Sequence, residues 1–223
     1  MSNAPTKAIP KFPSTGKTTI ALVSILLLAS FFRFYNITEK GIFFHDEAAY
    51  LLEGRFLNSS MHFMIDLLRG KVQLSQAVES IQGFPMNSGH PTHTIFVFLA
   101  SLITGTEDYM AFLVSAIFGI LSVYLTYRLG TVMFGERVGL FSAVLLTLSA
   151  YHVYYSRSGF PETEAGFFVL LPTYLYYIYK KEKRESNRPL FYIGLLVGIG
   201  FTVKYRCFFV PIIFWFLEVR DYL

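Results

Sequence analysis

Three short polar segments interrupt an otherwise apolar chain, and their residue types suit proton transfer and phosphate binding. The first is His45-Asp46-Glu47, directly after Phe43-Phe44. A carboxylate in a partly dehydrated site can act as a general base or hold a divalent cation, and ionised groups beside hydrocarbon are usually paired, hydrated or functional. Asp46 also suits a helix N-cap, satisfying free backbone N–H groups. The second is Ser156-Arg157-Ser158-Gly159-Phe160-Pro161-Glu162-Thr163-Glu164, which sets one cation beside two carboxylates. Glu162 follows a proline, so it equally suits the first turn of a helix, where an acid stabilises the dipole by about 0.3–1 kcal/mol. The third is Lys204, with Arg206 nearby, at the end of a Gly-rich apolar run. A lysine at that depth can neutralise a phosphate at the membrane surface or simply snorkel to water.

These residues need a scaffold, and composition indicates its kind. The chain is 53% hydrophobic and 15% charged, against roughly 25% charged in soluble domains. It carries 24 Phe and 15 Tyr, and amphipathic rings are enriched where helices meet lipid headgroups. The net charge of +4 comes from basic residues in short stretches between apolar runs, which determine topology rather than form a nucleic-acid patch. Nucleic acid is therefore excluded as a partner. Cys207 is the single cysteine, which excludes an intrachain disulfide and any Cys-rich metal cage. Gly16-Lys17-Thr18 is no phosphate loop, because Lys11 stands where that motif needs a glycine.

Apolar runs recur at 18–32, 109–127, 138–155, 165–179, 189–203 and 207–217. A crossing takes about 20 apolar residues, so these predict an all-α polytopic membrane protein with about six spans. Basic Lys7, Lys11 and Lys17 precede the first run, and no small-x-small cleavage site follows it, so it reads as an uncleaved span. The run 94–106 is short and follows Gly89-His90-Pro91, nearer to a re-entrant or interfacial helix than a crossing. If it does not cross, Arg128, Arg137 and the 180–188 loop share the side of the N-terminal lysines, as the positive-inside rule requires. Residues 1–17 are then a cytoplasmic tail and 36–108 a first outer loop within one membrane domain spanning 1–223. All three polar segments fall on the outer face. Within the outer loop, 47–57 and 61–68 read as amphipathic helices lying on the membrane surface. Asn36-Ile37-Thr38 and Asn58-Ser59-Ser60 match glycosylation sequons, which alone imply nothing.

Phe44-His45-Asp46-Glu47-Ala48-Ala49-Tyr50, Gly89-His90-Pro91, Tyr155-Ser156-Arg157 with Glu162, and Thr202-Val203-Lys204, in this order, resemble the GT-C membrane glycosyltransferases. The branch is that of the protein O-mannosyltransferases and aminoarabinose transferases, which includes bacterial envelope-glycan transferases. The resemblance implies transfer of a sugar from a polyprenyl-phosphate donor to a glycan, lipid or protein acceptor at the outer face of the cell membrane, with inversion. It implies Asp46 as the general base with Glu47 beside it, Glu162 as a second acidic site, and Lys204 assisted by Arg157 against the donor phosphate. Tyr50 and His90 would line the substrate pocket. The metal is not specified; the acidic pair leaves room for a divalent cation. Ala49, where many aminoarabinose transferases carry Arg, and Thr92 after Pro91 depart from that particular activity. Family members usually continue through further spans, so the chain resembles the N-terminal catalytic half of the pattern. Two other classes remain: a non-catalytic fragment, and a transporter or lipid-carrier binding protein, which should show inverted repeats with interrupted helices.

Overall fold

The structure is a computed structural model describing residues 15–73, 75–76, 89–182 and 186–222. Most of the 1–17 tail, the basic residues Lys183 and Arg184, and residues 77–88 of the long loop lie outside the described residues. Every regular element among the described residues is helical. The helices are α1 (Gly16–Phe34), α2 (His45–Leu68), α3 (Pro91–Thr104), α4 (Met110–Phe134), α5 (Glu136–Leu148), α6 (Ala150–Tyr155), α7 (Glu162–Lys181), α8 (Arg188–Val203) and α9 (Phe209–Tyr222). Single 3₁₀ turns lie at Ile37–Glu39 and Tyr205–Phe208.

Two of these, α1 with its 3₁₀ extension and α4, are long and apolar enough to cross a membrane; α3 and α8 are shorter apolar helices. At 1.5 Å per residue a 25-residue helix such as α4 reaches about 37 Å, more than the ~30 Å of hydrocarbon. It is the hub of the bundle. Its residues Met110, Ala111 and Val114 pack with Leu51 of α2 and Val97 and Ala100 of α3. Val123 and Tyr127 pack with Leu22 and Ala29 of α1 and Ala143 of α5. Phe118 meets the α7–α8 core around Ala165, Phe168, Val203 and Cys207. The outer surface is strongly apolar, with Ile103 87% exposed and Leu27, Phe141 and Trp215 also exposed. Lipid, not water, suits such a continuous apolar surface.

Close crossings rest on glycines. Gly135 ends α4 at φ 101°, a conformation that favours a residue without Cβ. One turn into α5, a Cβ at Gly139 would sit 2.2 Å from Thr131 Oγ1 and 2.6 Å from the Tyr127 carbonyl oxygen. Neither backbone nor β-branched neighbour can yield cheaply there. Gly139→Leu should therefore cost at least about 1–3 kcal/mol, as overpacked cores do. The check is thermal unfolding of the purified protein in detergent, where the variant should melt earlier than the parent.

The structure departs from the sequence reading in three places. The two expected surface helices are one continuous 24-residue helix, α2. Its inner face is anchored along α3: Thr94 donates to Glu53 Oε2 (2.6 Å), Gly54 faces Val97, and Asn58 donates to Ser101 (2.8 Å). That burial removes Asn58 from a glycosylation role, since its side chain is enclosed. The expected 138–155 span is broken at Ser149, which leaves helical geometry at ψ 111° and caps α6 by accepting from the His152 amide. Arg33, the charge directly after the first apolar run, is fully enclosed instead of reaching water, donating to the Ala29 carbonyl (3.0 Å) and Ser156 Oγ (3.2 Å) beside His152 Nδ1 (2.8 Å).

The start and the middle of α3 meet the same end of the bundle. Thr92 bonds Thr202 at the close of α8 (2.6 Å), while Val97 and Ala100 pack on the start of α4. The polar segments at α2, the Arg157–Glu162 loop and Lys204 gather at this end. At the opposite end, Lys181 reaches the Val132 carbonyl (3.4 Å) and Arg128 donates to Tyr174 (2.6 Å).

Candidate active site

The adjacent carboxylates of Asp46 and Glu47 point in different directions. Glu47 is the third residue of α2 and only 2% exposed. Its Oε2 accepts from the Phe43 and Phe44 amides (3.1 and 3.4 Å), closing the helix N-terminus, and its Oε1 accepts from the Gly159 amide (2.9 Å). The capping task that the sequence offered to Asp46 is performed by Glu47. Asp46, one helical step of about 100° away, keeps its carboxylate outside, with the side chain 71% exposed and His45 Nδ1 at 3.9 Å.

Tyr50 lies one turn beyond Asp46 and is buried. Its hydroxyl is pushed well above the ordinary phenol value, first by burial and then by the negative charges of Asp46, Glu162, Glu53 and Glu164. The ring stands edge-on to His90 (centroids 5.7 Å apart) and to His93 (4.8 Å). His90 is hydrogen-bonded at the Val203 backbone, and its pKa is lowered, chiefly by burial and further by the charge of Lys204. At neutral pH it is an uncharged imidazole.

Lys204 follows the last turn of α8, where the chain turns extended at φ −158°. Its ammonium is ion-paired with Glu162 Oε1, both side chains being mostly enclosed (13% and 19% exposed). Glu162 opens α7 immediately after Pro161. Its second oxygen, Oε2, is buried without a hydrogen-bond partner among the described residues. The pair thus leaves one buried carboxylate oxygen with spare bonding capacity beside the Lys204 ammonium. Arg157 lies on another flank: its guanidinium donates to the Phe32 carbonyl at the end of α1 (2.9 Å). Lys40 donates to the Arg157 carbonyl oxygen and stands over the Phe112 ring. Burial lowers the Lys40 pKa, with Glu47 opposing and Arg157 reinforcing the shift.

The Tyr50 ring thus meets His90 and His93 at the start of α3, Lys204 pairs with Glu162, and Glu47 faces inward to Gly159, so the starts of α2, α3 and α7 share one end of the bundle with Asp46 exposed, while Arg157 faces α1. Because Asp46 and Glu47 diverge, they do not present two carboxylates to one ion, and no group of three or more His, Cys, Asp or Glu gathers as a metal site among the described residues. Sequence reasoning missed His93 and its pairing with Glu164, one of the two carboxylates noted in the second polar segment; the two are 2.9 Å apart and wholly enclosed. The available signal was a histidine inside an apolar helix, which in a lipid-facing protein calls for a partner. Chemically, the arrangement offers an exposed carboxylate, Asp46, and a mostly enclosed ammonium, Lys204, at the same end of the bundle.

No curated protein and no solved structure matches the chain. A family model does, described as dolichyl-phosphate-mannose-protein mannosyltransferase, over residues 89–221. The matched range includes His90, Arg157, Glu162 and Lys204, begins after Asp46, Glu47 and Tyr50, and covers more than half of the chain. An all-helical protein with an apolar exterior and this polar cluster at one end has the character of a membrane-bound glycosyltransferase, and the chain belongs to the dolichyl-phosphate-mannose-protein mannosyltransferase family.

Proposed function

We propose that this protein is a multi-pass enzyme that moves a sugar from a polyprenyl-phosphate donor to an acceptor hydroxyl at the outer face of the membrane. The observation that carries the reading is the Glu162–Lys204 pair, mostly enclosed yet with Glu162 Oε2 unpartnered, at the end of the bundle where Glu47 bonds the Gly159 amide and the neighbouring Asp46 is exposed. The donor phosphate takes Lys204 as its counter-charge, and Arg157 offers a second cation at the α1 flank. Asp46 accepts the acceptor's hydroxyl proton. The oxygen then bonds to the anomeric carbon as the carbon–oxygen bond to phosphate breaks, and the electron pair leaves with the lipid phosphate. Attack opposite the leaving group inverts the anomeric centre. Glu47 keeps the start of α2 closed against Gly159, so Asp46 is presented from a rigid element. Glycans, lipids and proteins all present the required hydroxyl, and GT-C relatives of the O-mannosyltransferase and aminoarabinose-transferase branch are the frame for this chemistry.

About six spans and an outer-face site follow from the positive-inside rule, with α1, α4, α5–α6, α7, α8 and α9 as crossings and α3 dipping in from the outer side. The orientation is testable with single cysteines in a Cys207→Ala background, because Cys207 is buried. Glu39→Cys and Arg137→Cys place thiols at exposed positions on opposite ends of the bundle. In intact cells an impermeant maleimide should label the first and spare the second until the membrane is opened. Labelling of Arg137→Cys alone would reverse the topology.

A further inference from the structure

The proposed chemistry uses Asp46, Glu162 and Lys204 and leaves a second polar cluster without a task. His93 on α3 and Glu164 on α7 are both 0% exposed, with Nδ1 and Oε1 2.9 Å apart. The other ring nitrogen, Nε2, faces the Gly159 carbonyl oxygen at 3.1 Å. A carbonyl only accepts, so Nε2 carries a hydrogen, and a further proton lies between Nδ1 and Glu164. Glu164 Oε2 also accepts from Thr163, whose hydroxyl reaches the Ser115 carbonyl of α4 (both 3.1 Å). Enclosing an ionisable pair this completely is costly and is tolerated where geometry must be unique.

What the pair grips is Gly159. Its carbonyl is held by His93 and its amide by Glu47, so two backbone groups of one residue tie α3 and α7 to the start of α2. Asp46 is the neighbour of Glu47, and Glu162 stands two residues before Glu164. We propose that His93 and Glu164 are positioning residues which, through Gly159 and Glu47, hold Asp46 in register with the Glu162–Lys204 pair. The assignment rests on the function proposed above. Neither side chain reaches solvent, so neither touches substrate; each acts by removing freedom from the base.

The two ring nitrogens can be separated by substitution. His93→Gln keeps a donor near Nε2, able to hold the Gly159 carbonyl, whereas His93→Asn keeps one near Nδ1 and releases it. Both variants of the full chain are compared in liposomes with a polyprenyl-phosphate sugar, and by amide hydrogen exchange over residues 42–48 and 158–161. His93→Asn should speed exchange in both segments about tenfold and lower kcat by up to about 100-fold, as misplacement by an ångström can, with donor KM changed less than about threefold. His93→Gln should restore both to within about threefold. Glu164→Gln, which keeps the volume, should shift exchange in the same direction as His93→Asn and serves if the asparagine variant does not fold. Equal behaviour of the Asn and Gln variants, or unchanged exchange in both segments, overturns the proposal. Absence of transfer by the unmodified chain overturns the function instead, and exchange then decides the clamp alone.

Discussion

Replacing Asp46 with asparagine is expected to lower the turnover of sugar transfer by about 10²–10⁴-fold, the range that general-base catalysis contributes, while the donor binds as before. The side chain stays the same size, and at 71% exposure its carboxylate supports no core contact. Folding should therefore be unchanged. What is lost is the only step the account gives it, acceptance of the hydroxyl proton as the oxygen attacks. Glu47 cannot substitute, because its oxygens are engaged by the Phe43, Phe44 and Gly159 amides. Turnover in liposomes at saturating donor, read beside donor binding, separates the outcomes. A variant that transfers at the parent rate removes Asp46 from the chemistry, and a variant that loses donor binding assigns it to recognition.

Lys204→Met should lower turnover about 10²–10³-fold, the scale of losing one preorganised charge partner of the transition state, and should also destabilise the fold. The second effect has a separate cause. Removing one partner of a mostly buried ion pair leaves Glu162 uncompensated, typically at a cost of about 3–5 kcal/mol. Combining it with Glu162→Gln should restore much of the melting temperature and none of the turnover. Recovery of both by the double variant would make the pair purely structural. Retention of activity by Lys204→Met would detach the donor phosphate from this end of the bundle.

Hydropathy made α1 and α4 legible as long apolar runs, and α7 and α8 as shorter ones, because their ends are marked by charge, proline or glycine. The relation of Glu162 to Lys204 was legible only through the resemblance: the two are far apart in sequence, and their ion pair depends on how α7 and α8 pack. Four features were hidden for physical reasons. The continuity of α2 is decided by tertiary contacts, with Glu53, Gly54 and Asn58 all facing α3. The division of labour between Asp46 and Glu47 depends on which carboxylate finds the Gly159 amide, a long-range partner invisible to local spacing. The break at Ser149 falls inside an apolar run, where hydropathy continues although the helix does not. Burial of Arg33 similarly required Ser156 and His152, contributed by the far side of that break.

The most direct measurement of the central claim is made with the purified chain in liposomes, given a labelled polyprenyl-phosphate sugar and a hydroxyl acceptor. Label should pass to the acceptor with the anomeric configuration inverted, in the parent and not in Asp46→Asn. A donor that binds without label ever reaching an acceptor, or a product that keeps the donor's configuration, would contradict a single displacement driven by Asp46 and Lys204.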